Sequence, residues 1–204
     1  MTTFANYTAF RVAVQQLIEG DDLGNSTFSV ATLDLIIGLG ETRVYRDLRV
    51  TTMLSALSVA ITSNSAALPS DLIELSEVYF AGKAPLEIIA LELLRKYEAD
   101  GTATTNTLYA AQDGDNLRFW PTATGTVIGS YYKRPAELKT ALSTTFTRYP
   151  ECFIFASLVE SSAFLGFDSR IPMWEQKYQR SIQDAITDEL QRVYGGSHLR
   201  VRPR

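Results

Sequence analysis

Residues Ser29 to Arg49 read SVATLDLIIGLGETRVYRDLR, and the fold class follows from this stretch together with the segments on either side of it. Ser29 is a good N-cap, and apolar residues recur behind it at intervals of three and four, which predicts an amphipathic helix. The apolar stripe comprises Leu33, Ile36, Ile37, Gly40, Val44 and Leu48. Gly38 and Gly40 each cost about 1 kcal/mol relative to alanine inside a helix. We therefore expect either close approach of a neighbouring helix at these glycines or a kink.

The second half of this helix carries charge on its other face. The charged residues are Glu41, Arg43, Arg46, Asp47 and Arg49. Mixed signs at helical spacing usually mark a solvated face. In a symmetric oligomer the same set could instead bridge neighbouring subunits, because each sign can meet its complement on the next copy. Both interpretations stay open, and the five residues are candidate inter-subunit contacts.

Helical patterns also occupy both ends of the chain. They cover residues 6–20, about 150–166 and about 171–194. Asn6 is a good N-cap for the first, and Pro150 and Pro172 suit the first turns of the other two. We expect the N-terminal and C-terminal helices to form one helical bundle.

The composition between the helical ends shifts toward Thr, Ser, Val, Tyr and Phe with turn residues at intervals, which predicts an antiparallel β-rich insert. The predicted strands are Thr52 to Thr62, Ile73 to Phe80, Thr107 to Gln112, Leu117 to Trp120 and Thr126 to Tyr132. Asp113-Gly114 is the strongest turn signal. A short helix from about Leu86 to Tyr97 interrupts the strands, and Asp100 to Asn106 has the composition of a mobile loop.

The sequence thus predicts an α+β fold in four parts. They are N-terminal helices at 1–49, the β-rich insert with its short helix at 50–135, C-terminal helices at 136–194 and an extended tail at 195–204. In the tail, Leu199 and Val201 alternate with Arg200 and Arg202, which is the period of a strand.

Bulk composition narrows the class of protein. The chain has 204 residues, of which 46% are apolar and 21% charged, so it can bury a sizeable core and is typical of a globular protein. Its formal net charge of -4 disfavours a sequence-reading nucleic-acid binder. No segment approaches the roughly 20 apolar residues that span a bilayer, so we expect no membrane association and a protein made and used in cytoplasm.

The residues that usually carry catalysis are scarce. Cys152 is the only cysteine, which rules out an intramolecular disulfide and a thiolate-rich metal site. A helix start nearby could lower its pKa, but Phe153 and Phe155 favour a small core residue. His198 is the only histidine, so a Ser/His/Asp triad, a Cys/His dyad and a two-histidine zinc site all lack support. We predict no catalytic residue, no cofactor and no metal site.

Two adjacent aromatic pairs, Phe119-Trp120 and Tyr131-Tyr132, lie on predicted strands. They could form a platform that stacks on sugars or bases. Because successive strand residues face opposite ways, we expect instead that one ring of each pair enters the core and the other lies outside, where it is an interface candidate.

Eight short segments, in order along almost the whole chain, carry a family resemblance. They are FANYTAFR (4–11), GETRVYRDLRV (40–50), ALPSDLIEL (67–75), DGDNLRFWP (113–121), YYKRP (131–135), RYPE (148–151), ASLVE (156–160) and RIPMWEQKY (170–178). Each alone consists mainly of caps, turns and core positions, but their order and spacing are specific. Together they resemble the head-to-tail adaptor (head-tail connector) proteins of tailed bacteriophages, as found in podoviruses and related phages. The glycines at 38 and 40 depart from the expected pattern.

The resemblance implies a structural protein of the virion neck. Its copies would form a homo-oligomeric ring, typically of twelve, docked on the portal protein, with tail or nozzle proteins on the far side. The bundle would surround a channel, with the β part outward. Double-stranded DNA would pass through without sequence-specific binding, and a mildly acidic chain fits because a basic lumen would hold the phosphates.

The resemblance also implies that the C-terminal tail docks on the portal. An extended arm can pair with a sheet edge or fill grooves, and the docking residues would be Leu199, Arg200, Val201, Arg202, Pro203 and Arg204. The alternative for the tail is a disordered basic terminus. The alternatives for the whole protein are a head-completion or tail-completion protein and, less favoured, a virion-associated cell-wall hydrolase, which needs a matched acid and base or a metal.

Overall fold

The computed structural model describes residues 4–19, 28–80, 86–101, 108–165 and 169–195. Its helices are α1 (Tyr7–Glu19), α2 (Val30–Asp47), α3 (Leu91–Asp100), α4 (Thr144–Arg148), α5 (Pro150–Glu160), α6 (Ser162–Leu165) and α7 (Ile171–Tyr194). Its strands are β1 (Leu54–Ile61), β2 (Ser65–Ala67), β3 (Leu72–Phe80), β4 (Glu87–Ile88), β5 (Tyr109–Asp113), β6 (Asn116–Trp120) and β7 (Gly125–Lys133). The predicted α+β class is confirmed. The described residues divide into two compact units, a helical unit from 1–52 and 135–204 and a β unit from 53–134.

The capping signals in the sequence set the helix starts. Asn6 Oδ1 accepts a hydrogen bond from the Ala9 N–H at 2.9 Å, and Ser29 Oγ accepts one from the Thr32 N–H at 3.1 Å. Pro150 and Pro172 lie in the first turns of α5 and α7. These four local predictions are confirmed, and the short helices α4 and α6 were not predicted.

Helix α5 packs against both α2 and α7 within the helical unit. Gly40 of α2 lies at the contact with α5, where an added Cβ would be 2.7 Å from the Ser157 backbone nitrogen. The expected close approach is therefore confirmed at Gly40. At Gly38 an added Cβ would have no atom of the described residues within 4 Å, so no close approach within the subunit occurs there.

Aromatic rings join the N-terminal helices to α4 and α5. Phe146 contacts Phe10 at 4.9 Å and Phe153 at 5.3 Å between ring centroids, both edge-on. Tyr45 meets Phe153 edge-on at 5.6 Å. Pairs of this geometry contribute about 0.5–1.5 kcal/mol each beyond their buried area. The cluster therefore ties segments far apart in sequence into one core.

Strand β7 is the centre of a three-stranded sheet in the β unit, with β1 on one side and β3 on the other, both antiparallel to it. A second sheet has the order β2-β6-β5-β4. Strands β5 and β6 form a hairpin in which Asp113 pairs with Asn116 around Gly114-Asp115, as the Asp-Gly signal predicts. All five predicted strands are present, and the very short strands β2 and β4 were missed.

One prediction in this unit is wrong. The helix expected from Leu86 begins only at Leu91, because Glu87–Ile88 pairs in parallel with β5. The Ile89 N–H extends this pairing by donating to the Ala110 carbonyl at 2.9 Å. Tertiary pairing thus overrides local helix propensity, and it makes one ladder of the insert parallel. The predicted loop at 100–106 lies outside the described residues from 102 onward.

The aromatic pairs follow the alternation of their strands. Phe119 is fully buried and Tyr131 is 6% exposed, and both belong to the apolar core of the β unit. Trp120 and Tyr132 are half-buried. The predicted inward orientation of one ring per pair is therefore confirmed.

Candidate interaction surfaces

Glu41 and Arg43 of α2 are engaged inside the helical unit. The Glu41 carboxylate is buried and accepts a hydrogen bond from the Leu138 N–H at 3.3 Å. Arg43 donates to Glu160 at 3.1 Å and to both carboxylate oxygens of Glu175 at 2.7 and 2.8 Å. Burial alone would lower the pKa of Arg43, but the two carboxylates outweigh it and raise that pKa. Arg43 thus ties α2 to α5 and α7.

Asp47 and Arg49 also have partners within the chain. Asp47 accepts a hydrogen bond from the Tyr178 hydroxyl at 2.7 Å. Arg49 donates to the carbonyls of Tyr45 and Leu48 at 2.7 and 2.9 Å, which satisfies carbonyls at the end of α2. The Arg46 side chain is 71% exposed and lies 3.3 Å from Asp47. Contact of these residues with a neighbouring subunit stays a prediction, and Arg46 is the one most open to it.

The predicted portal-docking tail lies outside the described residues. This holds for Leu199, Arg200, Val201, Arg202, Pro203 and Arg204, and for His198 before them. Their docking to the portal stays a prediction.

Two exposed apolar stripes were missed by sequence reasoning. On α2, Leu35 and Leu39 are 54% and 42% exposed, one turn apart on the side away from the buried stripe. On α7, Leu190, Val193 and Tyr194 are 53%, 46% and 58% exposed at spacings of three and four. Val193 lies one turn beyond Glu189 and is exposed because the buried face of α7 ends at Glu189. The sequence signal for such a surface is an apolar residue that lies off the main apolar stripe of an amphipathic helix.

A groove of about 380 Å³ lies between the start of α5 and the middle of α7. Its lining comprises Arg148, Tyr149, Pro150, Glu151, Cys152, Ile154, Ser181, Asp184, Ala185 and Asp188. Cys152 and Ala185 are buried, 1% and 3% exposed. The side chains of Asp184 and Asp188 are 75% and 54% exposed. The groove therefore combines buried apolar lining with accessible carboxylates.

Cys152 is a core residue, as the sequence favoured. Its thiol donates to the Ser181 carbonyl at 3.5 Å, and burial raises its pKa to about 11. At neutral pH it is a thiol rather than a nucleophilic thiolate.

A polar network fixes the wall of the groove beside Tyr149. The Tyr149 hydroxyl donates to Asp188 at 2.8 Å and to the buried Glu189 at 3.3 Å. Glu189 also accepts hydrogen bonds from the backbone and side chain of Thr51 and from Arg192. Burial and the Asp188 hydrogen bond raise the pKa of Tyr149. This wall is therefore held by a network of hydrogen bonds that converges on the buried Glu189 carboxylate.

Two features are absent from the described ranges. Within them, no three His, Cys, Asp or Glu side chains converge to hold a metal ion. None of the helices in these ranges combines the length and apolarity that crossing a membrane requires.

A family profile described as SU10 adaptor protein matches residues 5–202, nearly the full length. No curated protein sequence matches the chain significantly. The family match agrees with the resemblance carried by the eight short segments. The chain therefore belongs to the SU10 adaptor family and is a phage adaptor protein.

Proposed function

We propose that this adaptor is a structural, non-enzymatic component of the virion neck. Its copies form a ring, typically of twelve, that joins the portal vertex to the tail or nozzle proteins. The ring continues the DNA channel, retains the packaged genome and lets it leave. Membership of an adaptor family supports this role, and the observation that carries the ring is the pair of exposed apolar stripes on α2 and α7.

A ring built from one chain needs two different surfaces, because each copy meets its neighbours head to tail. The helical unit has exposed apolar stripes on two different helices, Leu35 and Leu39 on α2 and Leu190, Val193 and Tyr194 on α7. Single exposed leucines are common on monomers, whereas apolar residues clustered at helical spacing are typical of interfaces. Gly38 lies between the two α2 leucines with open space beside it, so a neighbouring copy can approach the helix there closely.

The tail supplies the contact with the portal in this proposal. Leu199 and Val201 fill apolar positions on the portal, and Arg200, Arg202 and Arg204 add charge contacts. DNA passes without sequence-specific binding, which suits a chain of formal charge -4 because phosphates are not held by it.

The ring is tested by comparing Leu39→Glu with Leu93→Glu. Leu93 lies on α3 in the β unit and is 39% exposed, close to the 42% of Leu39, so the pair matches in chemistry and exposure. Each variant is mixed with purified portal rings and imaged by cryo-EM without imposed symmetry, after circular dichroism has confirmed its fold. We expect Leu39→Glu to reduce ring occupancy at least tenfold, since a buried unpaired charge opposes association, and Leu93→Glu to assemble normally. Equal assembly of both variants would contradict the α2 contact.

Portal docking is tested separately by removing residues 197–204. We expect the truncated chain to lose portal binding in a pull-down while keeping its circular dichroism spectrum. Undiminished binding would contradict tail docking. Binding to tail proteins but not to portal rings, by the full chain, would identify a tail-completion protein instead.

A further inference from the structure

The groove between α5 and α7 has no role in the ring or in portal docking as proposed above. Its accessible charged lining is unbalanced, with three carboxylates, Glu151, Asp184 and Asp188, against the single guanidinium of Arg148. Asp184 has only a loose ion pair, 3.8 Å from the exposed Arg180. Asp188 is already paired with Arg148 at 3.5 Å and with the Tyr149 hydroxyl at 2.8 Å, so Glu151 and Asp184 are the carboxylates available to a cationic partner.

The apolar lining of the groove narrows the chemistry of that partner. Cys152 and Ala185 are buried, and Ile154 is half-buried beside them. A small metal ion or a polyamine would leave this lining uncovered. The groove suits a peptide segment that carries both aliphatic side chains and arginines.

Residues 197–204, SHLRVRPR, have that chemistry. In an extended conformation Leu199 and Val201 lie on one side of the segment, while the long side chains of Arg200 and Arg202 can bend toward acidic groups at a rim. Arg204 adds a third positive charge. The segment therefore complements the groove in both apolar pattern and charge.

The same segment is attached at the right place. Helix α7 is followed by Gly195, and its residues Ser181 to Asp188 line the groove. At about 1.5 Å per residue, Asp188 lies about 10 Å and Ser181 about 21 Å back along the helix from Gly195. The nine residues 196–204 can span about 30 Å when extended, so they can run back along α7 over the full length of the groove.

We propose that this groove is the resting site of the chain's own residues 197–204. Attachment through Gly196 gives the segment an effective concentration in the millimolar range, which favours the same chain over a second copy. The inference deepens the proposed function, because the segment would leave the groove when it docks on the portal. It does not depend on the portal, and the isolated subunit is sufficient to test it.

The direct test measures binding of a fluorescein-labelled peptide, SHLRVRPR, to the chain ending at Gly195, by fluorescence anisotropy. We expect saturable binding that weakens with added salt, because surface charge pairs are screened. A peptide of the same composition without the alternation, LVSHPRRR, controls for charge alone. No saturable binding, or equal binding of the two peptides, would overturn the proposal.

Groove variants locate the site. The double variant Glu151→Gln with Asp184→Asn removes two accessible charges. It should lower the affinity for the peptide about three- to tenfold, which is the contribution expected of two exposed ion pairs. Glu92→Gln with Asp100→Asn removes the same charge from exposed positions on α3 and should leave binding unchanged. If both double variants bind alike, the groove is not the site.

The full chain decides whether the segment binds within its own subunit. Because its own tail occupies the groove, the full chain should bind the labelled peptide at least tenfold more weakly than the chain ending at Gly195, at every protein concentration. Equal affinity of the two chains would overturn the proposal. If the weaker binding of the full chain disappears when the protein is diluted, the tail in the groove comes from a second copy, and the proposal is overturned. If the peptide fails to bind while removal of 197–204 still abolishes portal binding, the groove proposal falls and portal docking stands.

Discussion

Alanine at Gly40 and alanine at Gly38 should change stability in opposite directions. The two glycines lie two residues apart in α2, and each alanine removes the same helix-propensity penalty of about 1 kcal/mol. At position 40 the new Cβ would lie 2.7 Å from the Ser157 nitrogen and 2.9 Å from the Ser157 Cα. At position 38 the new Cβ would have no atom of the described residues within 4 Å. The pair therefore separates close packing from propensity within one helix.

The magnitude at position 40 follows from what must move. Non-bonded contacts to carbon are optimal at about 3.5–4.0 Å, so the helices would have to separate by about 1 Å. Helix α5 also packs on α7, which prevents it from giving way freely. Overpacking of this kind costs about 1–3 kcal/mol, and the propensity gain of about 1 kcal/mol offsets part of it, which leaves a net loss of up to about 2 kcal/mol for Gly40→Ala. Gly38→Ala should gain about 0.5–1 kcal/mol.

The assay is urea unfolding followed by the fluorescence of Trp174, which is 4% exposed in the helical unit. Trp120 lies in the β unit, so both variants are made in a Trp120→Phe background that leaves one reporter. Transition midpoints at unchanged slope give the differences in unfolding free energy. If Gly40→Ala proves as stable as Gly38→Ala, the close contact between α2 and α5 does not limit position 40, and the reasoning fails.

Two substitutions and one labelling experiment further test the interior of the helical unit. Burial would raise the pKa of Glu189, but hydrogen bonds from Thr51 outweigh it and hold the pKa below its ordinary value of 4.5. Glu189→Gln should therefore lower the free energy of unfolding in urea by about 1–3 kcal/mol at pH 7. This loss should shrink as the pH falls through the folded-state pKa of Glu189, and a constant loss down to pH 3 would contradict the prediction. Arg43→Met should cost about 1–2 kcal/mol, because the Glu175 carboxylate loses a bidentate partner that is only partly screened by solvent, and a neutral effect in the same assay would refute it. Cys152 should resist a thiol reagent such as DTNB at pH 7 and react at once in urea, since it is 1% exposed with a pKa raised to about 11; rapid labelling of the folded protein would contradict its burial.

Local signals in the sequence predicted the element positions well. Asn6, Ser29 and Pro150 each open a helix where expected, because a cap or a proline acts through neighbouring backbone groups alone. The failure at Glu87–Ile88 has the opposite cause, since that pair is a strand only because β5 lies beside it. Strand order depends on distant segments in the same way. Strand β7 pairs with both β1 and β3, and the residues of β7 alone do not specify which strands will pair with it.

The surfaces were harder to predict than the fold. The charges at Glu41, Arg43 and Asp47 have the spacing of a solvated helix face, yet each finds a partner inside the helical unit. A helical-wheel pattern records which side of a helix is polar, but it cannot show that α5 and α7 approach that side. The sequence also did not identify Leu35 and Leu39 as exposed. On a helix rich in apolar residues, the residue type alone does not distinguish a buried position from an exposed one.

The placement of charge and apolar surface bears on how such a subunit can assemble. Arg43 joins α2 to Glu160 of α5 and Glu175 of α7, so the helices that carry the two apolar stripes are cross-linked before any neighbour arrives. A surface held in its bound geometry loses less conformational entropy on association than one that must be ordered by the partner. Charges that are paired within the subunit cannot form incorrect ion pairs with other copies. The shape of the apolar surfaces then determines which surfaces of two copies bind. In the ring proposed above, the internal Arg43 cluster would therefore supply the rigidity that closure from separate copies demands.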